Sequence, residues 1–351
     1  MFNSYLSFSC RASCYRVQFG DLKKIYDSEQ TPIFQDEEWN PEYFITWMEA
    51  DLKIPGNIVF SIKDSLFTTD GETIQLIATQ ENSTIQVFHQ LTAWSMIVPD
   101  LANRCLLLLD RNNSKFSSYA GDCNPSYGNG KRKDGNKVEA KTSLVLDIVR
   151  GRGQENSQKL FFIDMDYYDD NGTALRIVDV STQYVKTLYR FDRRGLALCW
   201  ENGTRNILLG GLFGIRRLNL DEGEIEQITV ASEGRPSSTA NIYDIRNGPL
   251  TDAAFLKPRG IINIVENTYV TASDLGLQVF DLTINYMQSV CTLSDSQSIR
   301  EGNITFCQTP SDVGTPLYFD GHLYFSSSTH DYVQIAQLEG KDFVLTLPNH
   351  I

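Results

Sequence analysis

The sequence has no long apolar run and no excess of positive charge. Its longest apolar runs, residues 105–109 and 196–200, have five residues each, whereas a membrane-spanning helix needs about 20. The 351 residues include 31 lysines and arginines against 44 aspartates and glutamates, which gives a net charge of −13. Such a chain lacks the cations that neutralise nucleic acids or anionic lipid surfaces. We therefore expect no nucleic-acid partner and no membrane insertion by this chain.

The motifs of several enzyme classes are also missing. The four histidines show no HExxH or other close pairing that would indicate a zinc site. No GxSxG nucleophile motif and no GxxxxGK[ST] phosphate-binding loop occurs, and Cys10 and Cys14 have no matching second pair for a zinc finger. The absence of a recognisable nucleophile, base and metal constellation favours a binding protein over an enzyme.

Sequons and cysteines bear on the compartment. The N-terminal residues lack the basic and apolar segments of a signal peptide, so we expect none in this chain. The seven cysteines leave at least one thiol free or paired with another chain. We expect a secreted or luminal protein, either complete or a fragment of a larger extracellular one, with a cytosolic location as the alternative. The candidate glycosylation sites are the five N-x-S/T sequons at Asn82, Asn112, Asn171, Asn202 and Asn303.

Short extended segments dominate the chain. Runs rich in Val, Ile, Leu, Phe, Tyr and Thr alternate with Gly, Asn and Asp turns, for example Asn57–Lys63 and Lys159–Ile163. The stretch Asp36–Ala50 predicts one short helix in an otherwise irregular N-terminal segment, residues 1–50. We therefore predict an all-β protein whose strands occupy residues 51–347.

A hairpin-like unit recurs with a spacing of 40 to 69 residues. Its first strand begins at Leu106, Leu175, Ile215, Leu277 and, more faintly, Val333, where Asp342–Leu347 would be the second strand. Four-stranded propeller blades are about 40 to 50 residues long, and radial stacking protects their sheet edges. We predict a single β-propeller domain over residues 1–351, with six four-stranded blades and with five or seven as alternatives.

The longer spacings predict loop insertions within some blades. The insertions are expected at Asp122–Lys133, Asp164–Asn171 and Ser232–Ile245.

Two hairpins follow a turn and a small residue. Asp134-Gly135 precedes Glu139-Ala140, and Asn247-Gly248 precedes Asp252-Ala253. Together with the strands Leu175-Arg176-Ile177-Val178-Asp179 and Leu277-Gln278-Val279-Phe280-Asp281, these residues resemble an NHL repeat. The resemblance covers about Val98 to Leu347, and residues 1–97 match only loosely.

The NHL resemblance implies a six-bladed propeller that serves as a platform for proteins, RNA or carbohydrate, although some relatives are enzymes. It also suggests that strands within residues 340–347 close the ring with N-terminal residues. The chain departs from the NHL pattern where Leu107 and Gln278 replace the arginine of the third strand, and where the Asp-Gly turn is missing near Ile215.

The predicted hairpins indicate which cysteines form disulfides. Cys105 and Cys123 flank a predicted hairpin and would face each other across an antiparallel pair, so we predict a disulfide between them, with two unrelated buried thiols as the alternative. Cys291 and Cys307 are a second candidate pair. Cys199, in an apolar segment, is predicted to be a buried free thiol.

Two charged loops and four tryptophans complete the candidate residues. The acidic turn Asp164–Gly172 contains clustered carboxylates, which suit Ca²⁺. Its spacing does not fit an EF-hand, and a solvated loop is the alternative interpretation. The basic loop Gly128–Gly135 is predicted to be a solvated tip that could contact an acidic partner.

Among the tryptophans, Trp39 is the exposed candidate, and Trp47, Trp94 and Trp200 are expected in the core. The candidate calcium ligands of the acidic turn are Asp164, Asp166, Asp169 and Asp170.

The favoured function is a non-catalytic interaction platform without a cofactor, which binds a protein or glycan ligand through inserted loops on one face. The alternative is a calcium-dependent hydrolase or lyase of the six-bladed type, with a metal in the central channel. A cytosolic scaffold domain is the third hypothesis. Fold alone does not choose among them, since one fold hosts both enzymes and binders.

Overall fold

The protein is described by a computed structural model. It describes residues 17–27, 45–81, 83–121, 123, 132–166, 172–191, 195–211, 214–229, 248–253, 258, 260–273, 276–293, 308–309, 315–328 and 333–343. Every regular element in these ranges is a β-strand, which confirms the all-β prediction. Over the same ranges there is accordingly no apolar helix of membrane-spanning length.

The strands are numbered in chain order. The first nine are β1 (Val17–Asp27), β2 (Ile45–Ala50), β3 (Ile58–Ile62), β4 (Ser65–Thr69), β5 (Ile74–Thr79), β6 (His89–Thr92), β7 (Ser95–Asp100), β8 (Cys105–Asp110) and β9 (Lys115–Ala120). The next eight are β10 (Leu144–Arg150), β11 (Lys159–Met165), β12 (Thr173–Asp179), β13 (Val185–Phe191), β14 (Gly195–Trp200), β15 (Asn206–Gly211), β16 (Gly214–Asn219) and β17 (Ile225–Gln227). The remaining strands are β18 (Gly248–Pro249), β19 (Gly260–Val265), β20 (Thr268–Ser273), β21 (Gly276–Asp281), β22 (Tyr286–Leu293), β23 (Gln308–Thr309), β24 (Leu317–Phe319), β25 (His322–Ser328) and β26 (Val333–Phe343).

These strands form six sheets. Four sheets each contain four consecutive antiparallel strands, namely β2–β5, β6–β9, β10–β13 and β14–β17. The fifth contains β19–β22, with β18 and the parallel strand β23 added beside β22. The sixth contains β24, β25, β26 and β1. Four of the five predicted hairpins are therefore confirmed, as β8–β9, β12–β13, β16–β17 and β21–β22.

The first strands of the six sheets contact one another in a ring. Contacts join β6 to β10, β10 to β14, β14 to β19, β19 to β24 and β24 to β2. A hydrogen bond between Glu49 and His89 joins β2 to β6. The sheets therefore stack around a common axis as a β-propeller, with the first strand of each sheet nearest that axis. The single-domain extent over residues 1–351 stays a prediction.

The ring is closed by the two ends of the chain. β1 pairs along β26 from Val17 opposite Phe343 to Asp27 opposite Gln334, so N-terminal residues complete the last sheet. The fifth predicted hairpin is wrong, because β26 is one continuous strand from Val333 to Phe343 that pairs with β25 on one side and with β1 on the other. Residues 344–347 lie outside the described residues.

The predicted helix over Asp36–Ala50 is wrong where the structure describes it. Ile45–Ala50 is strand β2, so the blade strands begin before residue 51. Trp47 and Met48 belong to different core clusters, which is the alternation of side chains that a strand between two neighbouring sheets requires. Residues 28–44 lie outside the described residues.

The core lies between adjacent sheets. One cluster joins sheets β2–β5, β6–β9 and β10–β13, and another joins β10–β13 to β14–β17, where Phe161 meets Trp200 edge to face with ring centroids 5.1 Å apart. Each sheet thus buries apolar residues against its neighbours, as radial stacking requires.

Strand direction places the predicted insertions at one end of the propeller. The links β9–β10, β11–β12 and β17–β18 all attach at the amino ends of the first strands, since each sheet has antiparallel order. Most residues of these insertions lie outside the described residues.

Candidate binding site in the central channel

A cavity of about 340 Å³ lies on the propeller axis. Its wall contains residues from the first strand of every sheet, β2, β6, β10, β14, β19 and β24. It reaches Arg150 and Trp200, the last residues of β10 and β14, and Arg152 beyond them. The cavity therefore extends to the carboxyl ends of the first strands, opposite the end where the insertions attach.

An acid–histidine pair lies in the channel wall. His89 Nδ1 lies 2.9 Å from Glu49 Oε1, and both side chains are more than four-fifths buried. The other oxygen, Glu49 Oε2, accepts a hydrogen bond from the backbone N–H of Gln90 at 3.0 Å. When His89 is neutral, its Nδ1 carries the proton, because an ionised carboxylate only accepts a hydrogen bond, and Nε2 then presents a lone pair.

Asp147 in β10 is a buried carboxyl group on the same wall. Its Oδ2 accepts a hydrogen bond from the backbone N–H of Leu198 at 2.6 Å. Burial raises the pKa of Asp147 to about 8, and the nearby Glu49 carboxylate adds to this rise, while the N–H groups of Leu198 and Ile148 oppose it. Asp147 is therefore largely protonated at neutral pH.

Three polar atoms of this wall have no hydrogen-bond partner among the described residues. They are Trp47 Nε1, His89 Nε2 and Asp147 Oδ1. Buried polar atoms are paired in nearly all native proteins, and an unpaired one costs roughly 1–3 kcal/mol. All three atoms have almost no accessible surface, so they lie behind the surface of the cavity wall.

Basic and thiol groups lie nearby. Arg150 donates hydrogen bonds to the carbonyls of Ser157 and Leu91, at 3.2 and 3.3 Å. Cys199 is a buried free thiol, as predicted, and burial raises its pKa to about 12. Since the thiolate is the reactive form, this cysteine is inert in the folded protein.

The channel residues do not fit a calcium site. Ca²⁺ takes six to eight oxygen ligands, but Glu49 already uses both oxygens on His89 and Gln90, and Asp147 is largely protonated. Among the described residues, no group of three acidic, histidine or cysteine side chains is arranged to hold a metal.

Asp164, a predicted calcium ligand, has a different role. Its carboxylate lies 2.6 Å from Arg176 Nη1, and both side chains are fully buried. Asp134 binds the same guanidinium at 3.1 Å, so the Asp-Gly turn and the third-strand arginine of the sequence pattern form one ion network. Asp166 is also buried, and Asp169 and Asp170 lie outside the described residues.

The basic loop also differs from the prediction. Arg132 is buried, and its Nη1 donates to the carbonyl of Asp164 at 2.8 Å, so this residue does not belong to a solvated tip. Residues 128–131 lie outside the described residues. Gly135 has a φ of +158°, and a Cβ there would lie 2.9 Å from that of Glu139, so glycine is needed for close approach.

Cys105 and Cys123 form a disulfide with a Cα–Cα distance of 5.2 Å, as predicted. Cys291 lies in β22, whereas Cys307 lies outside the described residues, so that second pair stays a prediction.

Two of the five sequons and one tryptophan lie at the surface in the part of the chain that the structure describes. Asn112 and Asn202 occupy exposed turns, where a glycan would fit, while the sequons at Asn82, Asn171 and Asn303 lie outside the described residues. Trp94 was expected in the core, but it is 51% exposed beside Lys53, because it lies in the tight turn between β6 and β7. Trp39 lies outside the described residues.

Comparison with known proteins adds evidence on the fold. Neither a family model nor a curated protein matches the sequence, so the NHL assignment stays a prediction. An auxiliary nutrient binding protein from Bacteroides thetaiotaomicron superposes with a TM-score of 0.61 at 9% identity, covering 92% of this chain and 77% of that one.

Two further solved structures are similar. A gluconolactonase from Xanthomonas campestris has a TM-score of 0.56 at 10% identity, covering 94% of this chain and 96% of that one. The extracellular domain of a proposed hybrid two component system from B. thetaiotaomicron has a TM-score of 0.52 at 12% identity, covering 90% and 39%. At such identities the similarity shows the propeller fold alone.

Glu49, His89 and Asp147 were not predicted as site residues from the sequence. Glu49 and His89 are 40 residues apart, and Asp147 lies in a strand whose pattern resembles any other. Position in the first strand of a blade was the signal that could have found them.

Proposed function

We propose that this protein is a non-catalytic binding protein of a secreted or luminal compartment, which holds part of a protein or glycan ligand in its central channel. The observation that carries the proposal is the cavity of about 340 Å³ on the propeller axis, which is lined by residues from the first strand of every sheet. Its volume lies in the range of small-molecule sites, and its wall combines apolar side chains with a few polar ones.

Separate observations support the proposed secreted or luminal location. The Cys105–Cys123 disulfide is typical of an oxidising environment. Proteins that share the fold include an extracellular domain and a nutrient binding protein, and these names favour an exported binder.

The inserted loops form a second predicted contact surface. They attach at the amino ends of the first strands, whereas the cavity extends to the carboxyl ends. We therefore assign the primary site to the channel and keep the loops as a contact surface on the other face.

The test uses two matched tryptophan variants of the full chain. Trp47→Phe keeps an aromatic ring but shrinks a side chain that lines the cavity and so removes contacts with a ligand, whereas Trp94→Phe makes the same change at an exposed turn outside the cavity. Wild type and both variants are applied to a glycan array and to a peptide array. We expect ligands that wild type and Trp94→Phe bind and that Trp47→Phe binds about tenfold more weakly. Equal binding by all three proteins would contradict the proposal.

A hydrolase is the second candidate, and the Glu49–His89 pair favours it. A carboxylate that holds Nδ1 leaves Nε2 free to accept a proton from water, which is the role of a general base. Hydrolysis of glucono-δ-lactone and of p-nitrophenyl acetate is followed for wild type, His89→Gln and Trp94→Phe. Activity that only His89→Gln loses would replace the binding proposal with the enzymatic one.

A further inference from the structure

We infer that the mouth of the central channel binds a carboxylate group of the ligand, with Arg152 as the main partner and Arg150 beside it. This inference rests on the proposed function and names the chemical group of the ligand that the channel recognises. It depends on the position of the two arginines, on their available donors, on the loop that carries them and on the charge of the cavity wall.

The two arginines extend to opposite sides of β10 at the mouth of the cavity. Both line the cavity and both are exposed. Arg150 Nη1 donates to the carbonyl of Leu91 in β6 at 3.3 Å, so its guanidinium reaches towards β6. Burial raises the pKa of Cys199 in β14 and of Tyr269 in β20, and the positive charge of Arg152 opposes both rises. The Arg152 guanidinium therefore lies on the β14 side.

Both guanidinium groups keep donors for a ligand. Among the described residues, the side chain of Arg152 has no hydrogen bond or ion pair. Arg150 uses Nε and Nη1 on the carbonyls of Ser157 and Leu91, and no described group accepts from its Nη2. A guanidinium presents paired N–H donors in one plane, which match the two oxygens of a carboxylate. Arg152 can therefore bind a carboxylate through two hydrogen bonds, while Arg150 supplies a second positive charge.

The connection between β10 and β11 is folded closely around these residues. The N–H of Gly151, which lies between the two arginines, donates to the carbonyl of Lys159 at 2.8 Å. A Cβ at Gly151 would collide with the carbonyl oxygen of Asn156, so this close approach needs glycine. The backbone that carries Arg152 is thus ordered before a ligand binds, which reduces the entropic cost of binding.

The cavity wall is positive although the whole chain is acidic. The chain has a net charge of −13, but the cavity is lined by two arginines against one ionised carboxylate, Glu49, because Asp147 is largely protonated at neutral pH. Both oxygens of Glu49 already accept hydrogen bonds. Glu155, the acidic residue of the β10–β11 connection, is ion-paired with Arg205 at 3.1 Å. The wall therefore attracts an anionic group and repels an ammonium group.

Two kinds of ligand can supply the carboxylate. A glycan carries it on an acidic sugar, and a protein carries it on an aspartate or glutamate side chain. Either fits a cavity of about 340 Å³, which is at the lower end of the range for small-molecule sites. The apolar side chains of Ile148, Ile261 and Leu317 line the same cavity and can contact the carbon atoms that carry the carboxylate.

The experiment compares acidic probes with matched uncharged probes on the full chain. One pair is methyl β-D-glucuronide and methyl β-D-glucoside, and the other is a blocked tripeptide with a central glutamate or a central glutamine. Each probe is titrated at constant ionic strength into protein labelled with 5-fluorotryptophan. The ¹⁹F resonance of Trp200, which lines the cavity, gives the dissociation constant, and that of the exposed Trp94 outside the cavity is the reference. The variants Trp200→Phe and Trp94→Phe assign the two resonances.

Three variants test the arginine. Arg152→Gln removes the positive charge, and Arg152→Lys keeps the charge without the paired donors. Arg190→Gln is the matched control, because it makes the same change of charge at an exposed position in β13, outside the cavity. Thermal unfolding checks that all three variants fold.

We expect wild type to bind at least one acidic probe about tenfold more tightly than its uncharged partner, as one charge-assisted hydrogen bond allows. Arg152→Gln should remove this preference, Arg152→Lys should keep part of it, and Arg190→Gln should leave it unchanged. A preference confined to the glucuronide indicates an acidic glycan, and one confined to the glutamate peptide indicates an acidic protein segment.

Equal binding within both pairs, or a preference that Arg152→Gln retains, overturns the carboxylate inference. Tighter binding of glucose 6-phosphate than of either acidic probe also overturns it. If only uncharged probes shift the Trp200 resonance, the proposed binding function stands without the carboxylate; if no probe shifts it, both fail.

Discussion

Asp147 should make the stability of the protein fall as pH rises, and Asp147→Asn should remove this effect. The side chain is buried, and burial raises the pKa of the carboxyl to about 8 from an ordinary value of 3.8. Between these two values the folded state holds a proton that the unfolded state has lost. Its contribution to stability is complete below pH 3.8 and is lost progressively as pH rises to about 8.

The magnitude follows from the difference in bound protons. One proton corresponds to about 1.4 kcal/mol per pH unit, so wild type should lose about 3 kcal/mol of unfolding free energy relative to Asp147→Asn between pH 5 and pH 7. The asparagine keeps an oxygen that can accept the hydrogen bond from the Leu198 N–H. Because every other titrating group is common to both proteins, the comparison isolates Asp147.

Urea unfolding of both proteins at pH 5, 6 and 7 measures the difference. Parallel pH dependence of the two proteins would show that Asp147 is ionised in the folded state, and would refute the reasoning about its environment. Glu49→Gln provides a control, since removing the neighbouring carboxylate should lower the pKa of Asp147 and reduce the slope without abolishing it.

Three further predictions concern a buried ion pair, the disulfide and the free thiol. Arg176→Met should cost about 3–5 kcal/mol in urea unfolding, because it leaves the buried Asp164 carboxylate unpaired; the same cost in an Asp164→Asn background would contradict this cause. Cys105→Ser with Cys123→Ser should cost about 3 kcal/mol, since the bridge closes a loop with a sequence separation of 18, and unchanged unfolding would disprove it. Cys199→Ser should lower the count of thiols that react with Ellman's reagent in denaturant but not under native conditions; a lower native count would mean that Cys199 is accessible.

Most strands could be predicted from the sequence because the pattern of a strand depends on residues close together in the chain. Four hairpins were predicted within a few residues of their observed bounds, since alternating apolar residues and Gly/Asn turns depend only on near neighbours. The helix over residues 36–50 failed where Ile45–Ala50 pairs with the next strand, β3. The final hairpin failed because Val333–Phe343 pairs with β1, which comes from the other end of the described chain, as well as with β25. The Cys105–Cys123 bridge was predictable because it spans a single hairpin.

The sequence by itself determined the all-β class, the repeating hairpins, the acidic charge and the absence of familiar catalytic motifs, because each depends on residue type and near spacing. Only the tertiary structure decided which polar residues meet. Glu49, His89 and Asp147 come from three different sheets, and stacking around an axis brings them to one cavity. Within one sheet, the antiparallel pairing of β11 with β12 brings Asp164 to Arg176, although the sequence presented that aspartate as part of an acidic turn.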